Sequence, residues 1–187
     1  MMRVIAGTAR GTVLKTPDGM LTRPTADRVK EAVFSILHFE VQDAVVLDLF
    51  GGTGQLGIEA LSRGAKRAVF VDQQQKACEL IRENLRRTKF DKAGTVVRGD
   101  YLEYLRRTKE RFDIILLDPP YAEIFLENAL NYIAEIDILQ DNGIIVTERP
   151  VEKTLDIQLP GFSRSRDYKY GKTLITLYRR ERAGEDL

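Results

Sequence analysis

The stretch AVVLDLFGGTGQLG, residues 44–57, decides the fold of this chain. It begins as a continuous apolar run, passes through an acid and ends in a glycine-rich loop. Apolar runs of the same kind recur along the chain, and stretches with helical spacing separate them. Because buried parallel strands are continuous apolar runs joined by crossover helices, this rhythm predicts a doubly wound α/β sheet with helices on both faces.

The bounds of the predicted elements follow from this rhythm. Strands are expected over residues 44–50, 67–72, 94–100, 112–118 and 143–148, and helices near 55–63, 74–89, 101–107 and 122–136. The segment 163–180 is expected to form a hairpin that turns near Gly171 and adds an antiparallel edge. The prediction is therefore a mostly parallel sheet of about seven strands.

Two shorter elements precede the sheet. Residues 2–16 predict two short strands joined around residues 7–11, as part of a β-hairpin extension over residues 1–20. A helix is expected in RPTADRVKEAVFSIL, with Thr25 as its candidate N-cap and its apolar side chains on one face. The main domain is expected over residues 21–180, and residues 181–187 are expected to be a disordered tail.

Length and composition exclude several classes of protein. The 187 residues fit one domain, and the hydrophobic fraction of 43% can fill a core. No apolar run approaches the roughly 20 residues that span a bilayer, and the N-terminus lacks the apolar region of a signal peptide. Cys78 is the only cysteine, which excludes an intramolecular disulfide and a cysteine-based zinc cluster. We expect a cytoplasmic protein that binds neither a metal nor a membrane.

The formal net charge is only +1, but the charges are unevenly distributed. The N-terminal segment carries Arg3, Arg10 and Lys15 and no acid, and a second basic stretch covers residues 161–180. Residues 110–148, between these segments, are strongly acidic. This distribution fits a surface that meets a polyanion, and it fits ordinary solvated faces equally well.

An acid stands at the end of four successive predicted strands: Asp48, Asp72, Asp100 and Asp118. In an open α/β sheet, ligands bind outside the carboxyl ends of the strands, near the point where the strand order reverses. Any one of these acids could be a solvated loop residue or a helix cap. Their recurrence at the same rim predicts a shared ligand site.

The glycine loop is compatible with two kinds of cofactor. Gly52, Gly54 and Gly57 satisfy the spacing G-x-G-x-x-G, and Asp72 follows at the distance typical of an acid that binds a ribose. This spacing alone is weak, because a dinucleotide and S-adenosyl-L-methionine both require close backbone approach at a helix N-terminus. A carboxylate just before the glycines, at Asp48, would repel a pyrophosphate but could accept a hydrogen bond from the ammonium of a methionine moiety. The acids therefore favour S-adenosyl-L-methionine.

The segment FDIILLDPPYAE, residues 112–123, ends a buried strand in an acid, two prolines and an aromatic ring. Prolines cannot continue a central strand, and they hold the loop rigid. The letters DPPY resemble the signature of amino-group methyltransferases. The resemblance implies that Asp118 and the carbonyl of Pro119 accept hydrogen bonds from an exocyclic amine, and that Pro120 stiffens the loop. It also implies that Tyr121 stacks on a flipped base.

Longer segments narrow the resemblance to one family. RPTADRVKEAVF, LDLFGGTGQLGIEALSRGA, FVD and LLDPPY occur here in the order and spacing of the bacterial 16S ribosomal RNA guanine-N2 methyltransferases of the RsmD type. The chain resembles that family from Arg3 to about Tyr178. Two departures are Lys30, where arginine is usual, and FGGTG in place of the common FAGSG; both keep the character of the side chains.

The resemblance implies a Rossmann-like class I methyltransferase that transfers a methyl group from S-adenosyl-L-methionine to N2 of one guanine. The implied partner is 16S rRNA in the small ribosomal subunit or in an assembly intermediate, and we expect the enzyme to be a monomer. Cofactor contacts are expected from the glycine loop and the strand ends: Asp48, Phe50, Gly51, Gly52, Thr53, Gly54, Asp72, Gln73, Asp100 and Tyr101. Substrate contacts are expected from Tyr121 and from side chains that would hold RNA phosphates: Arg3, Arg10, Lys15 and Arg28. Thr25 flanks the cofactor with Arg28, although it could be only a helix cap.

Three other functions share part of this pattern. A DNA adenine-N6 methyltransferase uses the same DPPY chemistry, but such enzymes usually carry a target-recognition insertion for which this chain has no room. A methyltransferase acting on a protein or a small molecule is the second alternative. A non-enzymatic RNA-binding module is the third, and the intact DPPY loop argues against it.

Overall fold

The computed structural model describes residues 2–17, 24–120, 123–155 and 157–181. The elements within these ranges are α1 Pro24–Ile36, β1 Val45–Asp48, α2 Gln55–Ser62, β2 Arg67–Asp72, α3 Gln75–Thr88, β3 Gly94–Arg98, α4 Tyr101–Arg107, β4 Phe112–Leu117, α5 Glu123–Ile136, β5 Leu139–Pro150, β6 Phe162–Arg164, β7 Tyr168–Tyr170 and β8 Thr173–Arg180. Some predictions fall partly or wholly outside the described residues: Tyr121 as the stacking ring, residues 1 and 18–20 of the hairpin extension, residues 21–23, 121–122 and 156 of the main domain, and residues 182–187 of the tail.

The strands form one sheet in the order β3-β2-β1-β4-β5-β8-β6, and β7 also pairs with β8. Strands β1 to β5 are parallel, and β8 runs antiparallel to β5. Because β6 and β7 pair with separate stretches of β8, both lie along the edge that β5 leaves free, so eight strands occupy seven positions. The predicted α/β fold class and the antiparallel edge are confirmed. The short strand β6 was not predicted, because three residues are too few to show a periodic pattern.

Each face of the sheet packs against its own helices and buries a separate apolar layer. One layer contains Val46, Phe70 and Leu116 of the sheet, together with apolar side chains of α1, α2, α3 and the N-terminal hairpin. The other layer contains Leu47 and Ile115, and it is completed by α4 and α5. Alternate residues of each central strand therefore enter opposite layers, which is why these strands are apolar throughout.

Helix α1 begins two residues earlier than an N-cap at Thr25 requires. Its first residue is Pro24, so Thr25 lies inside the first turn of the helix, and the prediction of Thr25 as the N-cap is wrong. Proline favours the first position of a helix because its fixed φ angle suits the helix and its missing N–H would have had no partner there.

The N-terminal residues form an antiparallel turn with one β-bridge in place of the two short strands predicted, and buried polar side chains fix it to the domain. Arg3 bridges to Val13, and the amide of Val4 donates to the carbonyl of Thr12 at 3.0 Å. The fully buried carboxylate of Glu59 on α2 accepts the amides of residues 5 and 6, at 2.8 and 3.0 Å. Lys30 of α1, which is 1% exposed, donates to the Arg3 carbonyl at 2.6 Å. Polar side chains of α1 and α2 therefore both hold the hairpin against the domain.

Two further properties concern the described part of the chain. None of its helices combines the length and the apolar character needed to cross a bilayer. It also contains no group of three or more His, Cys, Asp or Glu side chains arranged to hold a metal ion.

Candidate active site

A cavity of about 1350 Å³ opens at the carboxyl ends of the central strands. Strands β1 and β4 lie side by side beneath it, where the order of the strands reverses. We call the part over β1, β2 and β3 the glycine half; it is lined by residues 48–53, 71–74 and 99–101. We call the part over β4 and β5 the proline half; it is lined by residues 118–120, 148–150 and 172–173.

The glycine loop turns tightly between β1 and α2. The amide of Gly51 donates to the carbonyl of Val71 at 2.8 Å, which ties the loop to β2. Gly54 is the N-cap of α2 and has a φ of 79°, in the left-handed region that other residues rarely adopt. At Gly52, which has a φ of 54°, an added Cβ would meet nothing closer than 3.8 Å. The backbone at Gly52 is therefore open to the cavity, as close approach of a ligand requires.

Asp48 ends β1 beneath this loop and is 2% exposed. Its Oδ2 accepts the amide of Gly57, in the first turns of α2, at 3.1 Å. Burial raises the pKa of Asp48 from its ordinary 3.8 to about 8, and the nearby carboxylates of Asp118 and Asp72 contribute to the rise. The charged form of Asp48 therefore requires a positive charge or further hydrogen-bond donors in the cavity.

Asp72 and Asp100 are both bound to backbone amides. The two oxygens of Asp72 accept from Gly52 and Gln74, at 2.9 and 2.8 Å, so Asp72 fixes the glycine loop against the start of α3. Oδ1 of Asp100 accepts from Leu102 and Glu103, at 2.9 and 3.1 Å, which makes Asp100 the N-cap of α4. Both acids also line the cavity. Asp100 is thus a helix cap that faces the site.

Aromatic rings close the glycine half on the side of α4 and α5. The ring centroids of Phe50 and Tyr101 lie 5.1 Å apart, and those of Tyr101 and Phe125 lie 5.8 Å apart with nearly perpendicular planes. All three residues line the cavity. They give a flat ligand ring an apolar wall next to Asp100.

Asp118, Pro119 and Pro120 follow β4 directly and line the proline half. The Asp118 side chain is half-buried, and burial raises its pKa from 3.8 to about 6. Among the described residues this carboxylate has no hydrogen bond or ion pair. It is therefore an acceptor without a donor, next to a carbonyl in a loop where proline supplies no competing N–H.

Sequence reasoning missed Glu148, the acid near the end of β5. The register of β4 and β5 pairs Leu117 with Thr147, so Asp118 and Glu148 each follow a paired residue. Both line the cavity, and burial together with the charge of Asp118 raises the pKa of Glu148 well above 4.5. A signal was present, because GIIVTE also ends a predicted strand in an acid.

Arg149, next to Glu148, lines the cavity but is bound elsewhere. Its guanidinium donates to Asp167 Oδ2 at 2.7 Å, to Thr176 Oγ1 at 2.7 Å and to the carbonyl of Lys153 at 3.0 Å. The side chain of Arg149 is 5% exposed in this network. Its partners therefore satisfy its charge, and it does not lower the pKa of Glu148.

The predicted RNA-contacting residues are not gathered at the cavity. Lys15 lines its rim, where Nζ binds Glu83 at 2.8 Å. Arg3 lies outside the lining, with 63% of its side chain exposed and Asp27 at 3.8 Å. Arg10 and Arg28 are also exposed and lie outside the lining. Only a ligand larger than the cavity could contact all four side chains.

The structure brings most of the predicted cofactor residues together. The following line the glycine half: Asp48, Phe50, Gly51, Gly52, Thr53, Asp72, Gln73, Asp100 and Tyr101. Gly54 is not part of the lining, and a Cβ there would face Ile58 and Ile81 of the core. Its contribution is the turn that starts α2. Several carboxylates in a partly desolvated cavity favour a ligand that carries positive charge or several N–H donors.

The chain is similar to known proteins in sequence and in structure. The family model described as "Conserved hypothetical protein 95" matches residues 2–179. The chain is 38% identical over 182 residues to "Putative rRNA methyltransferase YlbH" of Bacillus subtilis, covering 96% of this chain and 99% of that protein. It is 34% identical over 184 residues to "Ribosomal RNA small subunit methyltransferase D" of Escherichia coli, covering 98% and 92%. The solved structure "Putative methyltransferase yhhF from Escherichia coli" superposes with a TM-score of 0.87 at 31% identity, covering 97% of this chain and 99% of that one.

Proposed function

Because the chain belongs to the family described as Conserved hypothetical protein 95, and is 34% and 38% identical to two proteins named as rRNA methyltransferases, we propose that it methylates small-subunit ribosomal RNA. The methyl donor is S-adenosyl-L-methionine, and the acceptor is the exocyclic N2 of one guanine. The observation that carries the proposal is Asp118, which has no partner among the described residues and stands at the start of a double-proline loop, where the two halves of the cavity meet.

The residues of the glycine half fit the donor. S-adenosyl-L-methionine supplies an electrophilic methyl group on a positively charged sulfur. Asp48 would hold its ammonium group, because a cation there replaces the proton that burial otherwise keeps on this carboxyl. Asp72 would accept the ribose hydroxyls, and its bonds to two backbone amides hold it in place for this task. Asp100 would accept the amine of the adenine, whose ring would lie against Phe50 and Tyr101.

The remaining predicted cofactor residues act through their backbone and position. Gly51, Gly52 and Thr53 form the loop that the donor approaches, and Gly54 sets the turn that starts α2. Gln73 follows Asp72 on the cavity wall.

In the proline half, Asp118 and the Pro119 carbonyl would accept the two hydrogens of the guanine amine. An aryl amine is a weak nucleophile because its lone pair is delocalised into the ring. Two acceptors favour the pyramidal nitrogen and offset the positive charge that develops during the transfer. Asp118 is suited to take the released proton, since burial raises its pKa to about 6. The rigid loop, with Pro120, fixes the line of attack, and Tyr121 would stack on the flipped base.

The partner in this proposal is 16S rRNA in the small ribosomal subunit or an assembly intermediate. The exposed cations Arg3, Arg10, Lys15 and Arg28 would bind its phosphates outside the cavity. Such contacts position the RNA, and the residues of the cavity would determine which base is methylated. In this proposal the enzyme acts as a monomer. It acts in the cytoplasm, where ribosomal subunits are assembled.

The test is methyl transfer to 30S particles that lack the modification, with labelled donor and mass spectrometry of the digested nucleosides. Wild-type protein should yield N2-methylguanosine. Asp118→Ala should lower kcat by about 100- to 1000-fold, because it removes one acceptor from the transition state. Its affinity for the donor, measured by calorimetry, should stay within about twofold, since Asp118 does not hold the donor.

Asp141→Ala is the matched control. Asp141 is also an aspartate, but its side chain is 87% exposed. It lies near the start of β5, and the cavity opens at the other end of that strand. It should keep full activity, since an exposed ion pair such as Asp141–Arg111 contributes little. Full activity of Asp118→Ala would refute the role of this carboxylate. Label in N6-methyladenine of duplex DNA, without label in the particles, would favour the adenine methyltransferase instead.

A further inference from the structure

Glu148 lies on the side of Asp118 that faces away from the glycine half. The strand order is β1-β4-β5, so the end of β5 lies beyond the end of β4 when viewed from the glycine loop. Asp118 and Glu148 directly follow the paired residues Leu117 and Thr147, and both line the cavity. The charge of Asp118 acts on Glu148, so the two carboxylates are neighbours at this rim. A methyl donor in the glycine half would therefore approach Asp118 from one side, and Glu148 would lie on the other.

Neither carboxylate has a hydrogen-bond donor in the part of the chain that the structure describes. Within the described ranges, neither Asp118 nor Glu148 forms a hydrogen bond or an ion pair. The nearest arginine along the chain, Arg149, is bound to Asp167 and Thr176. Burial and the charge of Asp118 raise the pKa of Glu148, so Glu148 tends to keep a proton while Asp118 is charged. A ligand with two neighbouring N–H groups would satisfy both carboxylates and displace that proton to solvent.

Guanine is the standard base that presents such a pair next to its exocyclic amine. Its N2 amine lies beside N1–H on the Watson–Crick edge, the edge by which flipped bases are read. We infer that Glu148 accepts the N1–H of the target guanine while Asp118 accepts an N2–H, so that Glu148 determines which base the site methylates. This inference rests on the proposed function, and it adds a specificity residue to that site.

The same carboxylate would reject the other bases that carry an amine. In adenine the ring nitrogen beside the N6 amine is an acceptor, and in cytosine the nitrogen beside the N4 amine is also an acceptor. A carboxylate facing an acceptor lone pair is repelled and remains without a partner, which costs more than an absent contact. A DPPY loop alone accepts any exocyclic amine, and Glu148 supplies the discrimination.

The test compares guanine with 2-aminopurine, which keeps the 2-amino group but has an acceptor at N1. Small subunits are reconstituted with 16S rRNA that carries either base at the mapped position, and kcat and KM are measured with wild-type protein and with Glu148→Gln. Wild type should prefer guanine by about 10- to 100-fold in kcat/KM, the range for a hydrogen bond to a charged group. Glu148→Gln should reduce this preference about tenfold or more, because its amide can donate to N1 of 2-aminopurine.

A matched change at an exposed glutamate of α5, Glu135→Gln, should leave both rates and their ratio at wild-type values. A structural role of Glu148 would lower the two rates by the same factor and preserve the ratio, and this result would overturn the inference. An unchanged ratio with unchanged rates would overturn it as well. No transfer to guanine by wild-type protein would reject the proposed function itself and the inference with it. A lost preference, with normal donor affinity, supports the assignment.

Discussion

Asn84, a buried side chain of α3, connects the N-terminal hairpin to the glycine loop. It is 0% exposed, and its amide group makes three hydrogen bonds. Oδ1 accepts the amide of Lys15 at 2.7 Å, and Nδ2 donates to the carbonyls of Lys15 and Thr53, at 3.0 and 2.9 Å. One side chain therefore fixes both the rim and the floor of the cavity. We predict that Asn84→Ala destabilises the protein and weakens donor binding.

The expected loss follows from these bonds. Each contributes about 0.5–1.5 kcal/mol net, and the backbone groups left behind in a mostly buried site lose their partners. Together they give a decrease of about 3 kcal/mol in the free energy of unfolding. For a domain of this size, that corresponds to a fall in Tm of roughly 6–12 °C. The KM for the donor should rise, because Thr53 loses its anchor.

Urea unfolding followed by circular dichroism measures the free energy, and calorimetry measures donor affinity. Asn131→Ala is the control, since Asn131 is an exposed asparagine of α5 where alanine favours the helix slightly. Asn84→Asp keeps Oδ1 for the Lys15 amide but replaces both N–H donors with a buried charge. It should therefore cost at least as much as alanine. A loss below about 1 kcal/mol for Asn84→Ala, or a milder effect of aspartate, would refute the reasoning.

Two further predictions concern stability. Asp48 keeps its proton up to about pH 8 in the folded protein but only to its ordinary 3.8 in the unfolded chain, so it should make the donor-free protein lose stability as pH rises from about 4 to 8. Asp48→Asn should flatten this decline, by at most about 6 kcal/mol; urea unfolding at pH 5 and pH 8 tests it, and parallel slopes for the two proteins would contradict it. Gly57→Ala would place a Cβ 2.2 Å from the ring of Phe70, and it should cost about 1–3 kcal/mol in thermal unfolding. Gly99→Ala, where nothing lies within 4 Å, is the control and should be nearly neutral; equal Tm values for the two variants would show that α2 shifts freely.

Most of the sheet could be predicted because its pattern is local. The strands β1, β2 and β4 lie within the predicted apolar runs, and the helices α2 to α5 agree with their predicted spans to within one residue. Continuous apolar runs identify such strands because both faces are buried, and that property can be seen without knowing the neighbours. The prediction of Thr25 as the N-cap of α1 was wrong because proline and threonine are both favoured at the start of a helix, so the sequence alone does not decide between them.

The roles of Glu59 and Asn84 could not be predicted in this way. Both are polar side chains in helices, where the sequence gives no reason to expect burial. Their partners in the hairpin lie 53 to 69 residues away along the chain, and Thr53, the other partner of Asn84, lies 31 residues away. Hydrogen bonds over such separations depend on packing, which no local pattern records.

The sequence by itself determined the order of the elements, the glycine loop and the acids at the strand ends, because each of these is a pattern of neighbouring residues. Only the tertiary structure decided which strand ends are neighbours. The order β1-β4-β5 places Glu148 beside Asp118, and burial by distant parts of the chain raises the pKa of Asp48 and Asp118. The physical reason is that strand order and desolvation depend on contacts between residues far apart in sequence. Those contacts exist only once the strands have paired and the helices have packed on both faces of the sheet.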